Sequence, residues 1–229
     1  MNIQETINKA TKILKKNNIK TAHIDSELLL SKVLNKDRRY MFLNSTEMLS
    51  KKNVFKFSHL IHRRKKGEPV AYLTNCKEFW KQKYFVNRNV LIPRPDTEVL
   101  IEETLRMFDK EKRLNVLDIG IGSGCLLFSI LKERKNFYGI GLDISKKALN
   151  VARFNAKLQH LSNRVKFYNS DIDKFFIGKY DLILSNPPYI ALRDIKNLSK
   201  DILHYEPLLA LKGGNDGLDL IKKVIYKSS

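Results

Sequence analysis

The sequence has few cysteines and lacks long hydrophobic runs. Among its 229 residues only Cys76 and Cys125 are cysteines, without a CxxC spacing, so neither a disulfide framework nor a zinc site is expected. No apolar run approaches the roughly eighteen residues of a membrane-spanning helix, and the N-terminus lacks an apolar signal segment. The histidines all lie outside the motifs described below: His23, His59, His62, His160 and His204. These absences predict a globular cytoplasmic protein with no metal site and no membrane contact.

Acidic residues are scarce beside basic ones. The chain has 43 Lys and Arg against 24 Asp and Glu, a formal net charge of +19. Residues 1–95 hold 21 basic and 7 acidic side chains, net +14, whereas residues 96–229 hold 22 and 17, net +5. A basic surface attracts phosphates and favours a nucleic-acid partner. Biased codon use in a low-GC genome produces the same composition, so such a partner is allowed but not required.

Hydrophobic periodicity divides the chain into three parts. Apolar residues at helical spacing predict a helical domain over residues 1–75, whose last helix is expected to begin at the cap Ser50 and to end near Gly67 and Pro69. Short aromatic and β-branched runs at 79–80, 84–86 and 90–92 predict a linking β-hairpin over residues 76–95. Over residues 96–229, strands at 114–119, 139–142, 165–168 and 182–184 alternate with helices at 97–108, 125–132 and 146–159. This alternation predicts an α/β fold with helices on both faces of a parallel sheet.

A glycine-rich turn follows the first strand of this third part. Gly120, Ile121, Gly122, Ser123 and Gly124 lead into a helix, where glycines allow close backbone approach to a ligand and the helix N-terminus offers N–H groups. The third glycine comes one residue too early for the dinucleotide fingerprint. Asp143 ends the next strand, where a carboxylate can accept both hydroxyls of a ribose. A nucleoside cofactor, NAD or S-adenosylmethionine, fits this pattern; a tight turn beside a surface acid is the alternative.

The tetrapeptide Asn186-Pro187-Pro188-Tyr189 follows the fourth strand, at the edge where α/β sheets bind ligands. Two prolines fix the backbone and donate no hydrogen bonds, so the carbonyls of the turn can face a ligand. A planar nitrogen group could donate its hydrogens to the Asn186 side-chain oxygen and the Pro187 carbonyl while Tyr189 stacks on it. Such holding would align the nitrogen with the methyl group of a sulfonium, which favours S-adenosylmethionine over NAD. A proline turn without function is the alternative.

Several segments of this chain resemble the release factor glutamine methyltransferase family. Besides the glycine turn and residues 186–189, the resemblance rests on residues 67–72 (GEPVAY), 78–80 (EFW), 91–98 (LIPRPDTE) and 205–211 (YEPLLAL). It implies a Rossmann-like class I methyltransferase sheet with a small N-terminal helical domain and a linking hairpin. It also implies methyl transfer from S-adenosyl-L-methionine to the N5 amide nitrogen of the glutamine in the Gly-Gly-Gln loop of peptide chain release factors. The expected partner is therefore a release factor, bound by a monomer whose residues 1–75 recognise the substrate.

The resemblance also implies site residues. The catalytic, substrate-holding residues are expected to be Asn186, Pro187, Pro188 and Tyr189. The cofactor contacts are expected to be Gly120, Ile121, Gly122, Ser123, Gly124, Asp143, Asp171, Ile172 and Asn186. Some family members carry an aromatic residue at the position of Ile172. Arg94 and Glu98 lie near the site in the family pattern, but an ion pair at a helix end would explain them, and neither is given a catalytic role.

The resemblance further implies a seven-stranded sheet in the order 3-2-1-4-5-7-6, of which this chain has four strands. A helix over residues 216–226 should lead into a fifth strand, so the methyltransferase domain, residues 96–229, is expected to be incomplete, with an unpaired edge beside Asn186. The hypothesis at this point is that the chain is poorly stable or weakly active. Two alternative functions remain open: an adenine-N6 methyltransferase acting on DNA or RNA, and an inactive, truncated remnant.

Overall fold

The computed structural model describes residues 1–175 and 179–228. The chain divides into two compact units, Met1–Asn75 and Cys76–Ser229. Ser229, the predicted end of the methyltransferase domain, lies outside the described residues. Within the described ranges, no helix has both the length and the apolar character needed to cross a membrane.

The first unit consists of helices packed around one apolar core. Their bounds are α1 Ile3–Lys15, α2 Ala22–Leu34, α3 Arg38–Leu43, α4 Lys51–Lys65 and α5 Val70–Thr74. The predicted cap of α4 is confirmed, because the Ser50 hydroxyl accepts a hydrogen bond from the Asn53 amide at 3.2 Å. Gly67, at φ 95°, follows the end of this helix as predicted. The short helices α3 and α5 were not predicted, since about two turns carry too little periodic pattern.

A buried ion pair joins α2 to α4 inside this unit. Arg64 Nε donates to Asp25 Oδ2 at 2.7 Å, and both side chains are almost fully buried. The neighbouring Arg63 forms two hydrogen bonds with the buried carboxylate of Glu68. Removing one member of such a pair would leave an uncompensated charge in the core. These contacts fix the end of α4, which precedes residues 67–72.

The second unit begins with a β-hairpin shorter than predicted. Its antiparallel strands, β1 Lys77–Phe79 and β2 Gln82–Tyr84, are joined by Trp80 and Lys81, both at positive φ, as a tight two-residue turn requires. The run at residues 90–92, which was predicted to belong to the hairpin, is not a strand in the part of the chain that the structure describes. The backbone amide of Ile92 instead donates to the side chain of Glu206. Residues 85–94 therefore form an irregular segment along the site.

The remainder of the second unit is a parallel α/β sheet. Its strands are β3 Asn115–Ile119, β4 Tyr138–Asp143, β5 Val165–Asn169 and β6 Leu182–Ser185, in the order β5-β4-β3-β6. This order agrees with the predicted 3-2-1-4, and β6 lies at the edge of the described sheet. The helices are α6 Glu98–Met107, α7 Cys125–Glu133, α8 Lys146–Leu158, α9 Lys200–Tyr205 and α10 Asp219–Ser228.

Helices cover both faces of the sheet, as predicted. Val116 and Leu184 pack into a core with residues of α6, α7 and α8. On the opposite face, Leu117 belongs to a second cluster that includes Leu220 and Val224 of α10. Consecutive residues of β3 thus point to opposite faces, which explains why this central strand is apolar throughout except near its ends. Helix α10 begins at Asp219 and not at residue 216, because Gly217 lies at φ 84° and cannot belong to a helix.

Candidate active site

A cavity of about 340 Å³ opens at the carboxyl ends of the central strands. Of the predicted site residues, those that line it are Gly120, Ile121, Gly122, Ser123, Asp143, Asp171, Ile172, Asn186 and Pro188. Gly124 is absent from this lining because it caps the start of α7. Three carboxylates, those of Asp118, Asp143 and Asp171, line the cavity together with apolar side chains. We call it the cofactor cavity.

The glycine turn is folded against the end of β4. The amides of Gly120 and Ile121 both donate to the Leu142 carbonyl, at 2.8 and 3.0 Å. Gly120, Gly122 and Gly124 all have positive φ, which side chains rarely adopt. At Gly124 a Cβ would also lie 2.2 Å from the ring of Phe128. The turn therefore needs glycine for its backbone conformation and, at its last position, for packing.

Asp143 links the glycine turn to the next helix. Its Oδ2 accepts the Gly122 amide at 3.0 Å, and its Oδ1 accepts the Ser145 amide at 2.8 Å. Burial raises the pKa of this carboxyl, although the two backbone hydrogen bonds oppose the rise. Ser145 in turn caps α8 through the Ala148 amide. The carboxylate is thus fixed in orientation at the cavity wall, with lone pairs remaining for further donors.

Asp118 is a lining residue that the sequence analysis did not assign to the site. It lies in β3 and is only 2% exposed, and its Oδ2 has no hydrogen-bond partner among the described residues. Burial and the nearby Asp143 raise the pKa of the Asp118 carboxyl to about 7, opposed by a backbone hydrogen bond from Leu127. An acidic residue inside a short apolar strand is unusual, and this feature of the sequence could have identified Asp118 as a site residue. A buried, unpaired carboxylate suits a cationic ligand group.

Asp171 and Ile172 form the wall beyond β5. The Asp171 carboxylate accepts the Asp173 amide at 3.0 Å and begins a short 3-10 turn, Ile172–Lys174. Ile172 is buried against Leu142 and its apolar neighbours. Its side chain therefore offers a flat-ring ligand an apolar contact but no aromatic stacking.

A second cavity, of about 380 Å³, also has Asn186 in its lining. We call it the substrate cavity. Pro187 and Tyr189 line it, and the Tyr189 side chain is 61% exposed. Residues that line both cavities are Leu91, Arg94, Thr97, Asn186 and Ala210. Asn186 Nδ2 donates to Thr97 Oγ1 at 3.2 Å, which leaves Oδ1 for another donor. Asn186 thus lies where the two cavities meet.

Comparison with known proteins shows the family to which the chain belongs. The PrmC N-terminal domain family matches residues 5–74, and the methyltransferase small domain family matches residues 96–214. A release factor glutamine methyltransferase of Clostridium acetobutylicum is 37% identical over the whole chain, which covers 81% of that protein. One from Buchnera aphidicola is 39% identical, again over the whole chain and 80% of that protein. The chain belongs to the release factor glutamine methyltransferase family.

The fold has a counterpart among solved structures. The catalytic domain of hMettl16, solved in complex with a 3′UTR hairpin, superposes with a TM-score of 0.50 and 19% identity over 69% of this chain and 60% of that one. This likeness concerns the fold alone. The second unit of this member of the release factor glutamine methyltransferase family has the class I methyltransferase fold, as the sequence resemblance implied.

In this family member, residues 211–213 form hydrogen bonds with Ile190 and pack against Tyr189, and so hold the end of the tetrapeptide in place. The Ile190 amide donates to the Leu211 carbonyl at 3.0 Å, and the Gly213 amide returns a bond to the Ile190 carbonyl at 2.9 Å. A Cβ at Gly213 would lie 2.7 Å from Tyr189 Cα. This support could not be predicted from the sequence, because single glycines in a loop carry no recognisable spacing.

Arg94 and Glu98 do not form the helix-end ion pair that was considered for them. Arg94 pairs with Glu206, whose side chain is only 2% exposed. The Glu98 carboxylate instead accepts the Trp80 amide at 3.0 Å. Glu206 also accepts the Ile92 amide at 3.1 Å, so it holds the irregular segment that lines both cavities. The positioning role of Glu206 was missed, since nothing in the sequence links residues more than a hundred positions apart.

Proposed function

We propose that this chain transfers the methyl group of S-adenosyl-L-methionine to the N5 amide nitrogen of the glutamine in the Gly-Gly-Gln loop of peptide chain release factors. The observation that best supports the proposal is the meeting of two cavities at Asn186. One cavity suits a nucleoside cofactor, and the other is open to a protein side chain. The relatives that bear the name of this activity support the choice of substrate.

The cofactor cavity has the chemistry that S-adenosylmethionine requires. The unpaired Oδ2 of Asp118 would face a cationic group of the cofactor, and its burial strengthens that attraction. The Asp143 carboxylate would accept the ribose hydroxyls, while Asp171 and Ile172 would flank the adenine. Gly120, Ile121, Gly122, Ser123 and Gly124 would let the backbone approach the cofactor closely. When bound, the cofactor supplies an electrophilic methyl group on a sulfonium.

Residues 186–189 would hold the substrate amide. Asn186 Oδ1 and the Pro187 carbonyl would accept its two N–H hydrogens, and the exposed Tyr189 ring would pack on its flat face. Accepting both hydrogens orients the nitrogen towards the cofactor cavity and increases its electron density. Positioning of this kind contributes up to about 7 to 11 kcal/mol to lowering a barrier. The nitrogen then needs no strong general base, because its proton leaves late.

Each of the three parts of the chain would have its own role in this reaction. Residues 1–75 would recognise the release factor, residues 76–95 would link them to the catalytic domain, and residues 96–229 would carry the chemistry. Exposed aromatic side chains in the helical unit support a docking role there: Phe42 is 83% exposed and Phe55 is 77% exposed. The chain would act as a monomer in the cytoplasm, with no requirement for a membrane or nucleic acid.

The proposal is tested by incubating the full chain with S-adenosylmethionine labelled on its methyl group. Three acceptors are compared: a release factor, the same factor with its loop glutamine replaced by alanine, and adenine-containing DNA or RNA. Label on the first acceptor alone is the expected result. Label on nucleic acid alone would replace the proposal with adenine-N6 methylation. Label on none, although the chain folds and binds cofactor, would favour the inactive remnant.

A further inference from the structure

Thr97 lies at the junction of the two cavities. It ends the 3-10 turn Pro95–Thr97, immediately before α6, and lines both the cofactor cavity and the substrate cavity. Its hydroxyl oxygen accepts a hydrogen bond from Asn186 Nδ2 at 3.2 Å. Asn186 and Thr97 are 89 positions apart in sequence, so this contact exists only in the folded unit.

The orientation of the Asn186 carboxamide matters because its two ends are opposite in character. Its oxygen accepts hydrogen bonds and its nitrogen donates them. A substrate amide nitrogen brings two N–H donors, so only the oxygen end can hold it. A threonine hydroxyl can donate as well as accept. The observed arrangement, with Thr97 accepting, is the one that leaves Oδ1 for the incoming substrate.

Thr97 is itself fixed by a chain of hydrogen bonds. Its amide donates to the Arg94 carbonyl at 3.1 Å. The Arg94 guanidinium pairs with Glu206, and the Ile92 amide donates to the same carboxylate at 3.1 Å. Because the Glu206 side chain is buried, this anchor has little freedom to move. The backbone at Thr97 is thus held by groups outside residues 186–189.

We propose that Thr97 is a positioning residue that holds the Asn186 carboxamide with its oxygen towards the substrate cavity. This inference rests on the proposed function, since it assigns Asn186 the task of holding the methyl acceptor. Thr97 would act through Asn186, to which its hydroxyl is hydrogen-bonded. Its loss should therefore reduce the rate of methyl transfer much more than it reduces cofactor affinity.

The experiment compares three variants of the full chain. Thr97→Val keeps the shape of the side chain but removes the acceptor, and Thr97→Ser keeps the hydroxyl. Thr104→Val is the matched control: Thr104 is buried in α6 and lines neither cavity, and its hydroxyl donates to the carbonyl of Leu100 in the preceding helical turn. Loss of one hydrogen bond predicts a kcat about tenfold lower in Thr97→Val. Thr97→Ser and Thr104→Val should retain kcat within about twofold, and in Thr97→Val the cofactor affinity should fall much less than kcat does.

A double-mutant cycle separates positioning from direct contact. Combined with Asn186→Ala, Thr97→Val should cause no further loss of kcat, because its partner is already gone. Losses that multiply would show that Thr97 acts independently of Asn186 and would overturn the inference. Equal losses in Thr97→Val and Thr97→Ser would overturn it as well.

A spectroscopic measurement tests the contact without any turnover. In the ¹⁵N-labelled chain, the side-chain amide signals of Asn186 are identified by their absence in Asn186→Ala. They should shift in Thr97→Val and stay near their original position in Thr97→Ser and Thr104→Val. An unshifted signal in Thr97→Val overturns the inference whether or not the chain methylates release factor. Failure of the proposed function appears separately, as absence of label on the release factor with the wild-type chain.

Discussion

The glycine turn and the Asn186 turn follow neighbouring strands, yet they are supported in different ways. The glycine turn is held by Leu142 and Asp143, about twenty positions away at the end of the adjacent strand. The Asn186 turn depends on Thr97, 89 positions earlier, and on the segment around Gly213. The glycine turn thus depends on the end of one neighbouring strand, whereas the Asn186 turn depends on two distant parts of the chain. We therefore expect substitutions at the glycine turn to lower cofactor affinity, and substitutions at the Asn186 turn to lower the rate of methyl transfer or the affinity for the substrate.

The largest effect is expected from Asn186→Ala. This change removes the proposed acceptor for the substrate amide, and loss of one positioned hydrogen-bonding group at an active site typically costs about 10² to 10³ in kcat. Asn186 also lines the cofactor cavity, but we expect cofactor affinity to fall far less than kcat does. Single-turnover methylation and calorimetric titration measure the two quantities. The control is Asn136→Ala, since Asn136 is exposed and its side-chain hydrogen bonds within the described residues are long, at 3.5 Å.

A loss of cofactor affinity as large as the loss of kcat would contradict this prediction. It would mean that Asn186 mainly binds the cofactor, so that both turns would serve cofactor binding.

The next largest effect is expected from Asp143→Asn. The change weakens the anchor of Gly122 and Ser145 and removes the proposed ribose contact. Hydrogen bonds to a charged group contribute about 1.5 to 3 kcal/mol, so the Kd for S-adenosylmethionine should rise roughly 10- to 100-fold. At saturating cofactor, kcat should remain within a few-fold of the wild-type value.

Asp181→Asn is the matched control for Asp143→Asn. Asp181 also accepts a backbone amide, that of Asn115 at 2.7 Å, but at the other end of the strands. Its replacement should leave the Kd unchanged. Similar affinity losses in both variants would indicate a general effect on the sheet and would remove Asp143 from the cofactor site.

The different supports explain what the sequence could and could not predict. The strands and the glycine turn follow from local patterns, because apolar periodicity and glycine spacing are properties of neighbouring residues, whereas the order of the strands was implied by the family resemblance. The hairpin was predicted too long because Val90 and Ile92 are buried although they lie outside its two strands. A buried irregular segment and a buried β-strand have the same apolar pattern in the sequence. Only the tertiary contact with Glu206 distinguishes them.

Pairs that join distant parts of the chain left no local signal. The bond between Asn186 and Thr97 and the packing of Gly213 against Tyr189 could not be inferred from spacing. Asp118 is different, because a carboxyl inside an apolar strand is visible in the sequence. Its unpaired oxygen, however, depends on the packing of its neighbours and required the structure.

A smaller effect, confined to the substrate side, is expected from Gly213→Ala. The new Cβ would lie 2.7 Å from Tyr189 Cα and 2.8 Å from the Pro188 carbonyl oxygen, both backbone atoms that must move. Overpacking of this kind costs about 1 to 3 kcal/mol of the free energy of unfolding. The moved turn should also raise the KM for release factor several-fold at unchanged cofactor Kd. The exposed neighbour Lys212, as Lys212→Ala, provides the control. Unaltered KM in Gly213→Ala would show that the support is dispensable.

The smallest effect is expected in the pH dependence of cofactor affinity, which tests the role of the Asp118 carboxyl in the cofactor cavity. This carboxyl has a pKa of about 7 because it is buried. A cationic ligand group favours the ionised form, so cofactor affinity should rise roughly threefold to tenfold between pH 6 and pH 8. Asp118→Asn cannot ionise and should show no such rise. Calorimetric titration of both chains over this range measures the difference, and subtracting the two profiles removes any titration of the cofactor itself.

The same pKa has the opposite consequence for the stability of the chain without cofactor. Since the folded pKa lies above the ordinary value of 3.8, the protonated form favours folding, and its contribution is complete below that value. As pH rises towards about 7, this contribution should fall by about 1.4 kcal/mol per pH unit. Asp118→Asn should therefore lose less stability than the wild-type chain between pH 5 and pH 7, measured by urea unfolding. Parallel stability profiles for the two chains would mean that Asp118 is ionised and paired in solution, and that it does not provide the unpaired carboxylate proposed for the cofactor cavity.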